Sequence, residues 1–251
     1  MILFDAATEE AVRRFWNQCE ELRDYPRDLS VTAPLALPIA ITIVSSLTLA
    51  SIEKWLSLRG AAFSFKCRSR SVRGCLIANA GRGIIFVDAS DPEDERRFTI
   101  AHEIGHFLVD YLLIRDAAIQ RFGYSILEVI DGRRAPNTHE RFSAIISHTP
   151  IRIYTNLMER DHLDSNQDNG IWEIEDRADQ VALALLAPSE DVLTLAGPLA
   201  KLFTERYEHT KHILRSAFGL PEAVAGTYAW NLLCELGLGP CWSESLRFGR
   251  R

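Results

Sequence analysis

Apolar and polar positions alternate along this chain with two periods, and these divide it into helices and strands. Residues 7–24 place Val12, Phe15, Trp16 and Leu22 on one side, the spacing of an amphipathic helix. From Ser30 to Ile52 there is no charged residue, nearly the length of a membrane span. Pro34, Pro38 and several Ser and Thr residues interrupt it, which fits a buried strand and turn better than a lipid-facing helix. Leu49–Leu58 reads as a short helix that Gly60 ends. Phe63–Lys66, Arg73–Asn79 and Gly83–Asp88 read as strands, the last two joined as a hairpin by the turn Asn79-Ala80-Gly81-Arg82-Gly83.

The best-signalled helix follows. Asp91 suits an N-cap and Pro92 the first helical position. Glu93, Asp94 and Glu95 put negative charge at the positive end of the helix dipole. The pattern carries this helix to about Leu112. The stretch 113–170 is the hardest to read: Thr138 caps a short helix through Ile146, Ile151–Leu157 forms a strand, and Asp161–Gly170 is a polar turn region. A second strong helix runs from Trp172 to Ala187, where Pro188 stops it. Two or three helices complete the chain, broken at Gly197-Pro198 and Gly219-Leu220-Pro221.

Composition is that of an ordinary globular protein, with 47% apolar and 25% charged residues in 251. The net charge of −6 argues against whole-surface binding of nucleic acid. Arg68, Arg70 and Arg73, and the tail with Arg247, Arg250 and Arg251, read as solvated faces. Five cysteines (Cys19, Cys67, Cys75, Cys234 and Cys241) include no CxxC pair, which excludes a zinc ribbon and fits reduced thiols in a cytoplasm. The N-terminus lacks the basic start of a secretory signal.

The chemistry concentrates in His102-Glu103-Ile104-Gly105-His106. Histidines four apart lie one turn apart on one helix face, so both imidazoles can reach one ion. Glu103 points about 100° round the helix, which suits a general base rather than a ligand. Between Phe98 and Val109 it is the only charged residue apart from the histidines, as expected of a helix buried beneath an active site. A catalytic zinc needs a third protein ligand and an open position. Glu175 and Asp179 are one turn apart on the next strong helix. Glu175 can bind the metal, while Asp179 accepts the free N–H of a ligand histidine and fixes its tautomer. Glu173 and Asp176 compete for the ligand role, and the pairing with Asp179 favours Glu175.

These residues resemble the ImmA/IrrE-type metallopeptidases, bacterial zincins of the gluzincin kind. The matching blocks are Arg97–Phe107 (RFTIAHEIGHF), against RFTxAHExGH, and Glu175–Pro188 (EDRADQVALALLAP), against ExxANxFAxxLLxP. The hairpin ending at Asp88 is also similar, and the resemblance covers residues 40–110 and 171–190. Asp179 replaces the family asparagine and keeps an acceptor, Val181 replaces a phenylalanine, and residues 107–174 make a longer separation than is usual. The resemblance implies an α+β, minimal zincin-like fold, with helices on a small mixed sheet and a C-terminal helical extension. In this chain that gives a metallopeptidase domain over 1–195, with 113–170 inserted between motif and third ligand, and an extension over 196–251. Independently of the resemblance, the insertion is expected to be a lid over the cleft, with a merely structural loop as the alternative. It further implies a Zn2+ cofactor, a cytoplasmic location and a protein substrate, often a DNA-binding helix-turn-helix repressor, with no membrane and no direct nucleic-acid contact.

In the expected mechanism Glu103 moves the proton of a water activated by zinc, while strand Gly83–Asp88 pairs with extended substrate. His148, Tyr154 and His162 are candidates to stabilise the oxyanion. Four rival readings carry discriminating features. Asp164, Asn166, Asp168, Ile171 and Glu175 approximate calcium-loop spacing, but Asn169 stands where the loop requires glycine. Lys201–Ala217 and Glu222–Leu236 imitate a helix-turn-helix, but the second helix has no Lys or Arg. His209 and His212 have ligand-like spacing but read as a surface pair. A non-catalytic metal-binding regulator that sequesters a partner would keep the zinc, but the intact Glu103 argues against it.

Overall fold

Four strands form one mixed sheet: β1 (Ile39–Val44), β2 (Val72–Asn79), β3 (Arg82–Asp88) and β4 (Tyr154–Glu159), in the order β1-β3-β2-β4. The computed structural model describes residues 5–19, 24–141, 152–160 and 169–240. Hairpin β2–β3 turns through Ala80 and Gly81, both at positive φ (49° and 79°), the backbone twist a two-residue hairpin loop needs. β1 runs parallel to β3, and β4 antiparallel to β2. The sheet is thus extended on both sides of the hairpin by strands remote in sequence.

On one face, α1 (Ala6–Trp16) and α2 (Leu29–Ala36) pack with the main helices, while α3 (Leu49–Ser57) covers the other face. The side-chain alternation of β2 explains both layers. Leu76 and Ala78 join the larger core, while Cys75 and Ile77 join Leu47, Ile52, Leu56 and Phe86 under α3. α3 starts with a reciprocal cap, in which Thr48 and Ser51 bond each other's backbone N–H.

The long helix after β3 begins as α4 (Glu93–His106), continues as a π-helical segment over Phe107–Leu113, and resumes as α5 (Ile114–Phe122). Short helices α6 (Leu127–Ile130) and α7 (Thr138–Arg141) follow. α8 (Asn169–Leu186) packs along α4 and ends before Pro188. Then come α9 (Ser189–Ala196), α10 (Phe203–Ser216) and α11 (Glu222–Glu235). α11 turns Ala225, Tyr228, Ala229 and Leu232 into the larger core, and Tyr228 donates its hydroxyl hydrogen to the Ala187 carbonyl at the end of α8. Among the described residues, no helix is long and apolar enough to cross a membrane.

Several expectations are corrected. Phe63–Lys66 is not a strand: Phe65 N–H bonds the Glu53 carboxylate, and Phe63 and Phe65 pack edge to face on the outer core. The uncharged stretch from Ser30 holds a helix, a strand and the start of another helix rather than one strand and turn. The first helix ends at Trp16. Asp91 does not cap α4; its carboxylate receives Arg160, and Pro92 stands at the cap without a side-chain bond. β3 lies inside the sheet, between β1 and β2, so both its edges are occupied and it has none to offer a substrate. The expected strand at Ile151–Leu157 appears as β4, shifted toward its C-terminal end. Leu22, the end of the helix expected after Thr138, His148, His162, Asp164, Asn166, Asp168 and the tail arginines lie outside the described residues.

Candidate metal centre

α4 is held against the sheet and against α8 by missing side chains. A Cβ at Gly74 on β2 would lie 2.5 Å from Thr99 Cγ2 and 3.0 Å from Glu103 Oε1. A Cβ at Gly105 would lie 2.9 Å from the Ala178 carbonyl oxygen. Separations this small are forbidden to carbon, so only glycine permits the helix to settle at these depths. The second contact decides the site, because it brings the first turns of α8 over the two histidines.

The three expected ligands converge. His102 and His106 Nε2 lie 3.0 Å apart, and Glu175 oxygens stand 3.2 Å from the first and 3.6 Å from the second. Glu173 and Asp176 are exposed and outside this group; Asp176 receives the Gln180 amide instead. Glu175 therefore belongs to the histidine pair, and with Asn169 and Gly170 already helical it does not close a calcium loop. Asp179 lies 2.7 Å from His102 Nδ1, as expected from its spacing. Asp110, which sequence reasoning passed over, lies 2.8 Å from His106 Nδ1. Its signal was present: an acid one turn after the second histidine, at the end of an otherwise uncharged run.

This network fits a divalent cation. Each Nδ1–H donates to a carboxylate, so both Nε2 atoms present lone pairs toward each other and toward Glu175. Three electron-pair donors facing one another in a buried space repel unless a cation or protons lie between them. Bonds of about 2.0–2.2 Å to a tetrahedral ion would need donors roughly 3.3–3.6 Å apart, close to the separations seen. Glu103 Oε1 supports the same reading: it is fully buried and has no hydrogen-bond partner among the described residues.

Electrostatics follow from the same contacts. Burial opposes charge on His102, but Asp179 and Glu175 overcome it and hold the imidazole pKa up, at about 10. His106 is raised likewise, against burial, by Asp110 and Glu175. Burial also opposes ionisation of Glu175, yet His102 and His106 bring it down to about 2. Glu103 is raised by burial, with both histidines acting against the rise.

β4 borders the centre. Tyr154 and Asn156 pair with Ala78 and Leu76, so they share the face that carries α4. The Asn156 amide lies 3.4 Å from Glu103 Oε2. Tyr154 packs beside Tyr111, and burial together with the carboxylates of Asp110, Glu103 and Glu175 keeps its phenol neutral. The far end of β4 is fixed by Arg160, which bonds Asp88 and Asp91 at the start of α4. His209 is occupied elsewhere, against the Ala196 carbonyl.

No curated protein matches this sequence. A family model does match, over the β2–β3 hairpin, the histidine-bearing helix and α5: across residues 59–126 the chain contains an IrrE N-terminal-like domain.

Proposed function

We propose that this protein is a zinc-dependent endopeptidase, with His102, His106 and Glu175 as the metal ligands and Glu103 as the general base. The observation that carries the reading is the convergence of both Nε2 atoms and the Glu175 carboxylate beside a buried Glu103 oxygen that has no hydrogen-bond partner among the described residues. When bound, zinc would supply Lewis acidity toward the peptide carbonyl and the attacking water.

The protein's own groups do the rest. Glu103 Oε1 takes the proton of the attacking water and delivers it to the leaving amine. Burial favours this role, because it raises the basicity of the carboxylate. Asn156 steadies the other oxygen, and Gly74 leaves the space in which the side chain lies. Asp179 and Asp110 hold the imidazoles in the tautomer that turns Nε2 inward. β4, the edge strand beside the centre, takes the place first assigned to β3: an extended substrate pairs along it. Tyr154, on the same face of the sheet, is the candidate among the described residues to donate to the carbonyl oxygen as it gains charge.

By family resemblance the substrate is a helix-turn-helix repressor in the cytoplasm, and the protein acts on it without binding nucleic acid or membrane. Residues 1–195 would form the peptidase unit, and 196–251 its helical extension. The test is a comparison of new protein N-termini in cells that express the native chain or Glu103→Gln. The reading expects cleavages that appear only with the native chain. Identical sets of termini, with both proteins folded and zinc-loaded, would instead indicate a metal-binding regulator that sequesters its partner.

A further inference from the structure

The centre is almost sealed. His102, Glu103 and His106 are 3%, 0% and 0% exposed, whereas the Glu175 and Asp179 side chains remain 33% and 48% exposed. Solvent therefore meets this group of residues along α8, and a cavity of about 290 Å³ opens there between α8 and α11. Its floor is apolar: Phe98, Leu183, Val224 and Tyr228. Its rim carries three carboxylates, Asp176, Asp179 and Glu235, and among the described residues no basic one lines it.

The carboxylates differ in their commitments. Asp179 is engaged by His102, and Asp176 receives the Gln180 amide through Oδ2 alone. Glu235 has no ion-pair partner among the described residues. A long aliphatic stem ending in a cation matches both parts, with methylenes over the floor and the charged head between Asp176 and Glu235. A neutral apolar side chain would satisfy only the floor, and an acidic one would be repelled.

We propose that this groove receives an arginine or lysine side chain of the bound polypeptide, so that the protein selects substrates that carry a basic residue. The inference rests on the peptidase reading for its substrate, but its test does not require hydrolysis. Labelled decapeptides identical except for a central Arg, Lys, Leu or Glu are titrated against the zinc-loaded full chain carrying Glu103→Gln. Fluorescence anisotropy reports binding. The groove predicts that Arg and Lys peptides bind at least about tenfold more tightly than Leu, with Glu weakest. The preference should shrink with added salt and disappear in an Asp176→Asn/Glu235→Gln double variant that still binds the Leu peptide normally. Equal binding of Arg and Leu peptides, or a preference that survives the double substitution, overturns it. A chain that shows the preference yet cleaves no protein in the N-terminus comparison sinks the peptidase reading and leaves the groove. Cleavage without the preference does the reverse.

Discussion

Gly105 on α4 and Ala178 on α8 touch backbone to backbone: a Cβ at Gly105 would stand 3.0 Å from Ala178 Cα. This crossing sets the height of Glu175 above the histidines. Gly→Ala inside a helix ordinarily stabilises by about 1 kcal/mol, whereas overpacking a tight contact costs about 1–3 kcal/mol. Gly105→Ala should therefore lower the melting temperature by a few degrees and weaken zinc binding, because α8 must move outward. Thermal melts with a zinc competition titration check this. An unchanged or higher melting temperature with native affinity would mean that the contact does not position α8.

Asp110 and Asp179 each fix one imidazole. Replacing either with alanine should weaken zinc about 10–100-fold while leaving the ligand set intact. Competition against a chromogenic chelator measures the change. Native affinity in both variants would show that helix packing alone orients the rings.

The carboxylates around His102 also predict a pH dependence. Its pKa in the folded, metal-free protein is about 10, above the ordinary 6.5. The stability this gives is fully present below 6.5 and is lost as pH rises through about 10. Zinc competes with the same proton. The rise in melting temperature on adding zinc should therefore be larger at pH 9 than at pH 6.5. A constant or falling increment would contradict the proton-held network.

Much of this was legible along the chain, because the features are local. Histidines one turn apart, an acidic first turn at Glu93–Glu95 and a Pro188 stop need no tertiary information. Glu175 and Asp179 were readable as a pair for the same reason. What escaped was non-local. β1 sits among prolines in an uncharged stretch, and its pairing with β3 is what buries β3 and leaves β4 as the edge beside the centre. Phe63 and Phe65 alternate like a strand, but nothing in four residues tells whether a partner edge is free. Asp91 looked like a cap because its competitor, Arg160, arrives from a distant strand. Asn156 gave no signal at all: its role depends on the β2–β4 register that turns it toward Glu103.

The central claim is one metal ion held by His102, His106 and Glu175. Its most direct test is the metal content of the purified full chain and of His102→Ala and Glu175→Ala, each after reconstitution with zinc. The account predicts about one zinc per native chain, lost or greatly weakened in both variants while they remain folded. Stoichiometric zinc that persists in Glu175→Ala, or a native chain that takes up none, would contradict it.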